Sequence, residues 1–263
     1  MIAASPSVAY IHEPFHLHHD LNVCGARVDC WFTYVCEENE ALYSTPIADM
    51  LDAVRYRAAA GDERSCVRPL IKDPLALFSA GWLASRFNTR NVVMIRHPAA
   101  FAASLKAKQW THPFVHFLQQ PLLMQHHLEP FARELMRFTR EPQDIVDQAA
   151  LLWTMIHSMI LKYQEAFPEW MYVRHEDLSR SPIEGFRGIF DHLDLEWSAE
   201  TARTIAAHSF PAAEGVPSML HDLTRDSLAI IDTWKMRLTG DEIERVRSRV
   251  WNVSTHFYSE QEW

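Results

Sequence analysis

Residues 91–106 read Asn-Val-Val-Met-Ile-Arg-His-Pro-Ala-Ala-Phe-Ala-Ala-Ser-Leu-Lys. Val92 to Ile95 is a short, unbroken apolar run with β-branched members, the pattern of a strand buried on both faces of a parallel sheet. The run ends abruptly. Pro98 has a fixed φ and no N–H, so it belongs at the first position of a helix, and Ala99, Ala100, Ala102, Ala103, Leu105 and Lys106 are good helix formers. The unit is therefore strand, turn, helix. It places Arg96 at the carboxyl end of a strand, where open α/β sheets bind ligands, and Ser104 about two turns into the helix. A guanidinium and a hydroxyl converging beside a helix N-terminus suit a phosphate group. The alternative use of the same residues is structural, with Arg96 pairing a carboxylate and Ser104 bonding back to the preceding turn.

The same alternation extends to either side. Val8-Ala9-Tyr10-Ile11 is a β-like run ending at His12-Glu13-Pro14-Phe15-His16, preceded by residues 1–5, which resemble the last turn of a helix. A helix is signalled from Thr45, with Pro46 at its first position, apolar residues at Ile47, Met50, Leu51 and Val54, and Gly61 at its end. Residues 68–74, Arg-Pro-Leu-Ile-Lys-Asp-Pro, form a third strand-like run with a polar end, followed by helix over 75–87. Residues 110–167 carry no strand signal. They mix Trp110, Phe114, Phe117, Leu122, Leu123 and Met124 with His112, His116, His126 and His127, and close on an amphipathic helix over 145–167. This stretch reads as a helical insertion on the acceptor side, a lid in part, although most of its apolar residues suit a core. Residues 171–178 form the fourth strand, and Ser181-Pro182-Ile183-Glu184 carries the signature of a helix start. Thr239 and Glu242 repeat it for the last helix. The expected fold class is α/β, a parallel sheet flanked by helices, in a single domain spanning 1–263 with the 110–167 insertion inside it.

The chain has 263 residues, 48% of them apolar, enough for one large domain. A formal charge of -9 argues against a general nucleic-acid binder while leaving room for a local basic pocket. The longest apolar stretch, near residues 149–161, is too short to span a membrane, and no secretory signal opens the sequence. Cys24, Cys30, Cys36 and Cys66 form no tight Cys-x-x-Cys pair, so they read as reduced thiols of a cytoplasmic protein. His12-Glu13-x-x-His16 matches the zinc-peptidase pattern, with His18 and His19 nearby, but that motif needs one continuous helix. Pro14 pushes Glu13 out of the helical region, so no metal is expected there.

The Arg96 and Ser104 spacing across a strand-to-helix turn resembles the 3′-phosphate-binding segment of sulfotransferases that use 3′-phosphoadenosine-5′-phosphosulfate (PAPS). Three further segments resemble the bacterial branch of that family in the same order. They are Glu13-Pro14 at a strand end, the strand with Glu176-Asp177-Leu178, and Arg225-Asp226-Ser227 with Trp234-Lys235 before the Thr239 helix start. The resemblance implies a P-loop-NTPase-like sheet and sulfuryl transfer from PAPS to the hydroxyl or amine of a small-molecule or glycan acceptor. Glu13 would be the general base and Lys72 a contact to the sulfuryl group, with Asp73 helping to position it. Arg96, Ser104 and Arg225 would hold the 3′-phosphate and His175 would stack on adenine, with no metal, nucleic acid or membrane involved. Lys72-Asp73-Pro74 stands where cytosolic relatives carry Lys-Thr-His, so their catalytic histidine is replaced by Pro74.

One departure is large. The family's Pro-x-Ser-Gly-Thr-Thr type loop, which grips the 5′-phosphosulfate, has no counterpart in this sequence, nor has the strand that precedes it. The expectation is that the chain as written starts late, folds poorly for want of a central strand, and transfers no sulfuryl group. A non-catalytic nucleotide-binding relative and a kinase-like P-loop enzyme are the other functions open to such a frame. The acceptor and the oligomeric state are not legible.

Overall fold

The computed structural model describes residues 1–17, 28–61, 67–209 and 227–263. The fold is α/β, mostly helical with small parallel sheets. β1 (Val8–His12) pairs in parallel with β2 (Arg68–Lys72), from Val8 opposite Arg68 to His12 opposite Lys72. β3 (Val92–Ile95) pairs in parallel with β4 (Met171–Arg174), from Val92 opposite Met171 to Ile95 opposite Arg174. The single parallel sheet expected from the sequence is thus corrected: among the described residues there are two two-stranded ladders. A parallel sheet widens only when each strand offers hydrogen bonds on both sides. Arg68 turns its N–H toward β1, donating to the Ser7 carbonyl, so Pro69 turns its nitrogen to the outer side of β2, where it has nothing to donate.

The chain divides into two compact units. One comprises Ser5–Arg90 and Pro113–Arg140 and holds β1 and β2; the other comprises Met1–Ala4, Asn91–His112 and Glu141–Trp263 and holds β3 and β4. Residues 110–167 are accordingly shared out, the part through Arg140 largely with the β1–β2 unit and the part from Glu141 with the β3–β4 unit.

In the β1–β2 unit, Ile11, Phe15, Val35, Ile47, Leu51, Trp82 and Leu83 form one buried cluster. Phe114, Phe117 and Leu123, from the stretch read partly as a lid, are also core residues, with Phe117 stacked on Phe32. In the β3–β4 unit the alanines of Pro98–Lys108 face inward, and Ala99, Ala100, Ala102 and Ala103 are all buried. Their small side chains let this helix lie close to Ile145–Ala166 and Gly240–Ser254. The latter two are tied by Arg245 and Arg249, both bonded to Asp147.

The local signals place most boundaries within a residue or two. β3 and the Pro98 helix start fall where the sequence puts them. Thr239 and Glu242 make both bonds of a capping box. Two expectations are corrected. The helix over 75–87 is a 3-10 turn, Pro74–Ser79, followed by Ala80–Phe87. The fourth strand stops at Arg174 rather than 178, and His175–Arg180 is helical. The Ser181 N–H already donates to the Asp177 carbonyl, which closes that helix. Glu184 then has no free N–H to reach, so Pro182 begins the next helix, Pro182–Leu193, without a side-chain cap. Among the described residues no helix is long and apolar enough to cross a membrane.

Candidate functional site

In the β3–β4 unit, Arg96 follows β3 directly and is half-buried, and Ser104 is half-buried in the helix that begins at Pro98. The Arg96 carbonyl accepts a 2.8 Å bond from Trp153 Nε1, which fixes the strand end against Ile145–Ala166. His157 stacks on Trp153 at 3.7 Å, and its Nδ1 donates to the Trp153 carbonyl at 2.9 Å. The turn itself is held by Glu176, which is buried. Its Oε1 accepts from the His97 N–H at 3.0 Å and its Oε2 from the Tyr258 hydroxyl at 2.9 Å.

That bond explains the early end of β4. For the Glu176 carboxylate to meet the His97 amide, the chain after Arg174 has to turn inward, and His175 becomes the first residue of a helix. His175 thereby comes beside Arg96. Burial lowers its pKa, and the positive charge of Arg96 lowers it further, against the opposing effect of Glu176. The ring is held neutral next to a fixed cation. At the same corner the Pro98–Lys108 helix begins at His97, whose side chain makes no capping bond. Of the expected nucleotide residues, the structure brings Arg96 and His175 together and puts Ser104 along the adjoining helix; Arg225 lies outside the described residues.

In the β1–β2 unit, the ends of two paired strands carry the other two candidates. The Glu13 N–H donates to the Lys72 carbonyl at 2.9 Å, and the Lys72 ammonium donates to Glu13 Oε1 in a close ion pair. Glu13 has a φ of 43°, a left-handed conformation that a non-glycine residue seldom adopts. His12 ends a strand and Glu13 turns away from it, so no helix carries His12 and His16 together; His18 and His19 lie outside the described residues. Burial by itself would raise the Glu13 carboxyl. The Lys72 hydrogen bond and charge, with smaller help from His12 and His16, bring it net below the usual carboxylate range. Glu13 is therefore ionised at neutral pH and already has a partner.

Asp73 does not point a free carboxylate toward a substrate. Its Oδ2 accepts from the Phe15 N–H at 2.7 Å and its Oδ1 from the Leu75 N–H at 2.8 Å, so it caps the 3-10 turn and fastens the Pro14-Phe15 corner. Burial raises its pKa while these amides pull it down.

Sequence reasoning gave Glu176, Trp153 and Tyr258 no role of their own. Glu176 lay inside a quoted motif, but its duty is set by an amide 79 residues away. Tyr258 carries no local signal for a bond to Glu176, and its hydroxyl pKa is pushed upward, first by burial and then by that carboxylate.

No family model matches the chain, and no curated protein matches it. Among solved structures, the sulfotransferase domain from the curacin biosynthetic pathway is similar at a TM-score of 0.45 and 15% identity, over 81% of this chain and 72% of that one.

Proposed function

We propose that this chain binds a 3′-phosphorylated adenosine nucleotide and belongs to the chemistry of sulfuryl transfer from PAPS. The observation that carries the reading is the corner after β3. A half-buried arginine, a histidine held neutral beside it and a helix start without a side-chain cap come together at the carboxyl end of a parallel strand. Arg96 and Ser104 would hold the ribose 3′-phosphate, with Arg225 joining them. His175, being neutral, would offer a ring face to adenine without adding a second charge. In the reaction an acceptor hydroxyl or amine attacks sulfur, the bond from sulfur to the bridging phosphate oxygen breaks, and 3′-phosphoadenosine-5′-phosphate leaves. Glu13 would take the acceptor's proton and Lys72 would contact the sulfuryl oxygens. A small-molecule or glycan acceptor fits this chemistry.

The Glu13–Lys72 ion pair favours one second reading, a nucleotide-binding relative that does not catalyse transfer. A carboxylate held below its usual range by a bonded lysine is a weak proton acceptor until that lysine is drawn away. Under that reading Glu13→Gln leaves nucleotide affinity unchanged and removes no activity.

Calorimetric titration with 3′-phosphoadenosine-5′-phosphate and with ATP tests the main reading. Binding of the first and not the second is expected. Arg96→Ala should weaken it by about 1.5–3 kcal/mol, roughly 10- to 150-fold, the worth of a charged hydrogen bond. Equal binding of both nucleotides, or an unchanged affinity in Arg96→Ala, removes Arg96 from the site.

A further inference from the structure

A second cluster of ligand-bearing side chains lies within the β1–β2 unit, in residues that the nucleotide reading does not use. His126 and His127 belong to a five-residue π-helix, Met124–Leu128. Such wide turns are rare and gather at functional sites. Here the turn directs two successive histidines at one hydroxyl: Tyr34 Oη lies 3.1 Å from His126 Nδ1 and 3.1 Å from His127 Nε2. The other nitrogen of His126, Nε2, lies 3.1 Å from Glu38 Oε1. Cys36 completes the group. Its sulfur, a Glu38 carboxylate oxygen and a ring nitrogen of His126 all lie within 4.8 Å of one another. Cys36 and His126 are half-buried and Glu38 is exposed.

We propose that Cys36, Glu38 and His126 bind a divalent transition-metal ion of the zinc type, with the fourth position left to water. The donor set argues for that class. A thiolate, an imidazole and a carboxylate suit a borderline-soft ion and disfavour Mg2+ and Ca2+, which take oxygen ligands. Tetrahedral zinc with ordinary bond lengths keeps its ligand atoms about 3.3–3.8 Å apart. The His126–Glu38 separation, 3.1 Å, is already close to that, and the other two separations are no longer than 4.8 Å, about 1 Å beyond the tetrahedral value.

The rest of the group is held in place before any ion arrives. The Asn39 side-chain carbonyl accepts from the Cys36 N–H at 2.8 Å, and its amide donates to the Tyr34 carbonyl at 3.0 Å. The Tyr34 N–H donates to Gln120 Oε1 at 2.8 Å, and the Val35 N–H to the buried Ser79 hydroxyl at 2.9 Å. Tyr34 then supplies what metal-bound histidines require, a partner on the nitrogen that does not face the ion, which sets the orientation of the ring. The bound ion would fasten the segment around Cys36 to the π-helix. It plays no part in sulfuryl transfer, so the site stands or falls apart from the nucleotide reading.

Titration of chelator-treated protein with Co2+, followed by absorption, tests the site. One equivalent of Co2+ should produce a thiolate-to-metal band in the near ultraviolet together with tetrahedral d–d bands, and Zn2+ should displace it. Cys36→Ser should abolish the thiolate band. His126→Gln should weaken affinity at least 10-fold, as should Glu38→Gln, which alters an exposed side chain and leaves the core untouched. Cys30→Ser, at a thiol whose pKa is raised first by burial and then by Asp29, should leave the spectrum unchanged. X-ray absorption on the zinc-loaded wild-type chain should show one sulfur among nitrogen and oxygen neighbours, a readout that needs no variant. Absence of the thiolate band, its survival in Cys36→Ser, or a zinc shell without sulfur overturns the proposal.

Discussion

Acidification from pH 7 to pH 5 should weaken the fold by about 4 kcal/mol, through two histidines that it keeps neutral. His157 is 4% exposed, and burial lowers its pKa to about 3 against a small opposing effect of its bond to the Trp153 carbonyl. His97 is 3% exposed, packed among Trp234, Tyr258 and Trp263, and its pKa is lowered to about 4. For His97 burial outweighs the upward pull of Glu176 and Glu262, with Arg174 and Lys235 adding to the lowering. In the unfolded chain both titrate near 6.5. Below that pH the unfolded state binds protons that the fold refuses, so stability rises with pH through this window and is lost on the way down. At pH 5 each ring costs about 2 kcal/mol, out of a total that for a domain is typically about 5–15 kcal/mol. His116 and His175, also lowered, act in the same sense. The depressed carboxyls of Glu13, Glu242 and Glu262 are lost only below the window, and the raised Asp73 works in the opposite direction. Urea unfolding at pH 7, 6 and 5 measures the effect. His157→Leu alters packing at every pH, so the diagnostic quantity is the difference between pH 7 and pH 5, which should shrink by about 2 kcal/mol. A difference equal to that of the wild type would refute the argument.

Ser79→Ala should cost about 1–3 kcal/mol, because the fully buried hydroxyl accepts from the Val35 N–H at 2.9 Å and donates to the Thr33 carbonyl at 2.6 Å; an unshifted urea midpoint would show that water replaces it. Thr239→Ala removes the side-chain cap of Gly240–Ser254 and should cost about 1 kcal/mol, read as a lower Tm; no change would mean that the Lys106–Glu242 ion pair holds the helix start unaided. Gly185→Ala would bring a methyl to 2.5 Å from Leu178 Cδ2, and Leu178 is 6% exposed with little room to move. The clash, of about 1–3 kcal/mol, should outweigh the helix propensity gained, and a more stable variant would show that Leu178 repacks.

Elements whose cause lies within a few residues could be read from the sequence alone. Val92 to Ile95 is apolar and partly β-branched, and Pro98 can only begin a helix, so β3 and its turn appear where expected. Thr239 and Glu242 satisfy each other's amides within one turn, and their capping box forms as written. Ser181 and Glu184 carry the same hydroxyl-x-x-Glu pattern, yet form no such box, because the Ser181 amide is already spent on Asp177. What the tertiary structure decided depends on partners distant in the chain. Among the described residues, lateral strand pairing produced two ladders in place of one sheet, and Glu176 bent the end of β4 to reach His97 and Tyr258. Lys72 claimed Glu13 across the ends of two strands, and Tyr34 met two histidines about ninety positions later. A propensity or a cap is set by immediate neighbours along the chain. A buried carboxylate or a ligand cluster is set by whichever side chains packing brings to it, and no spacing along the sequence records that.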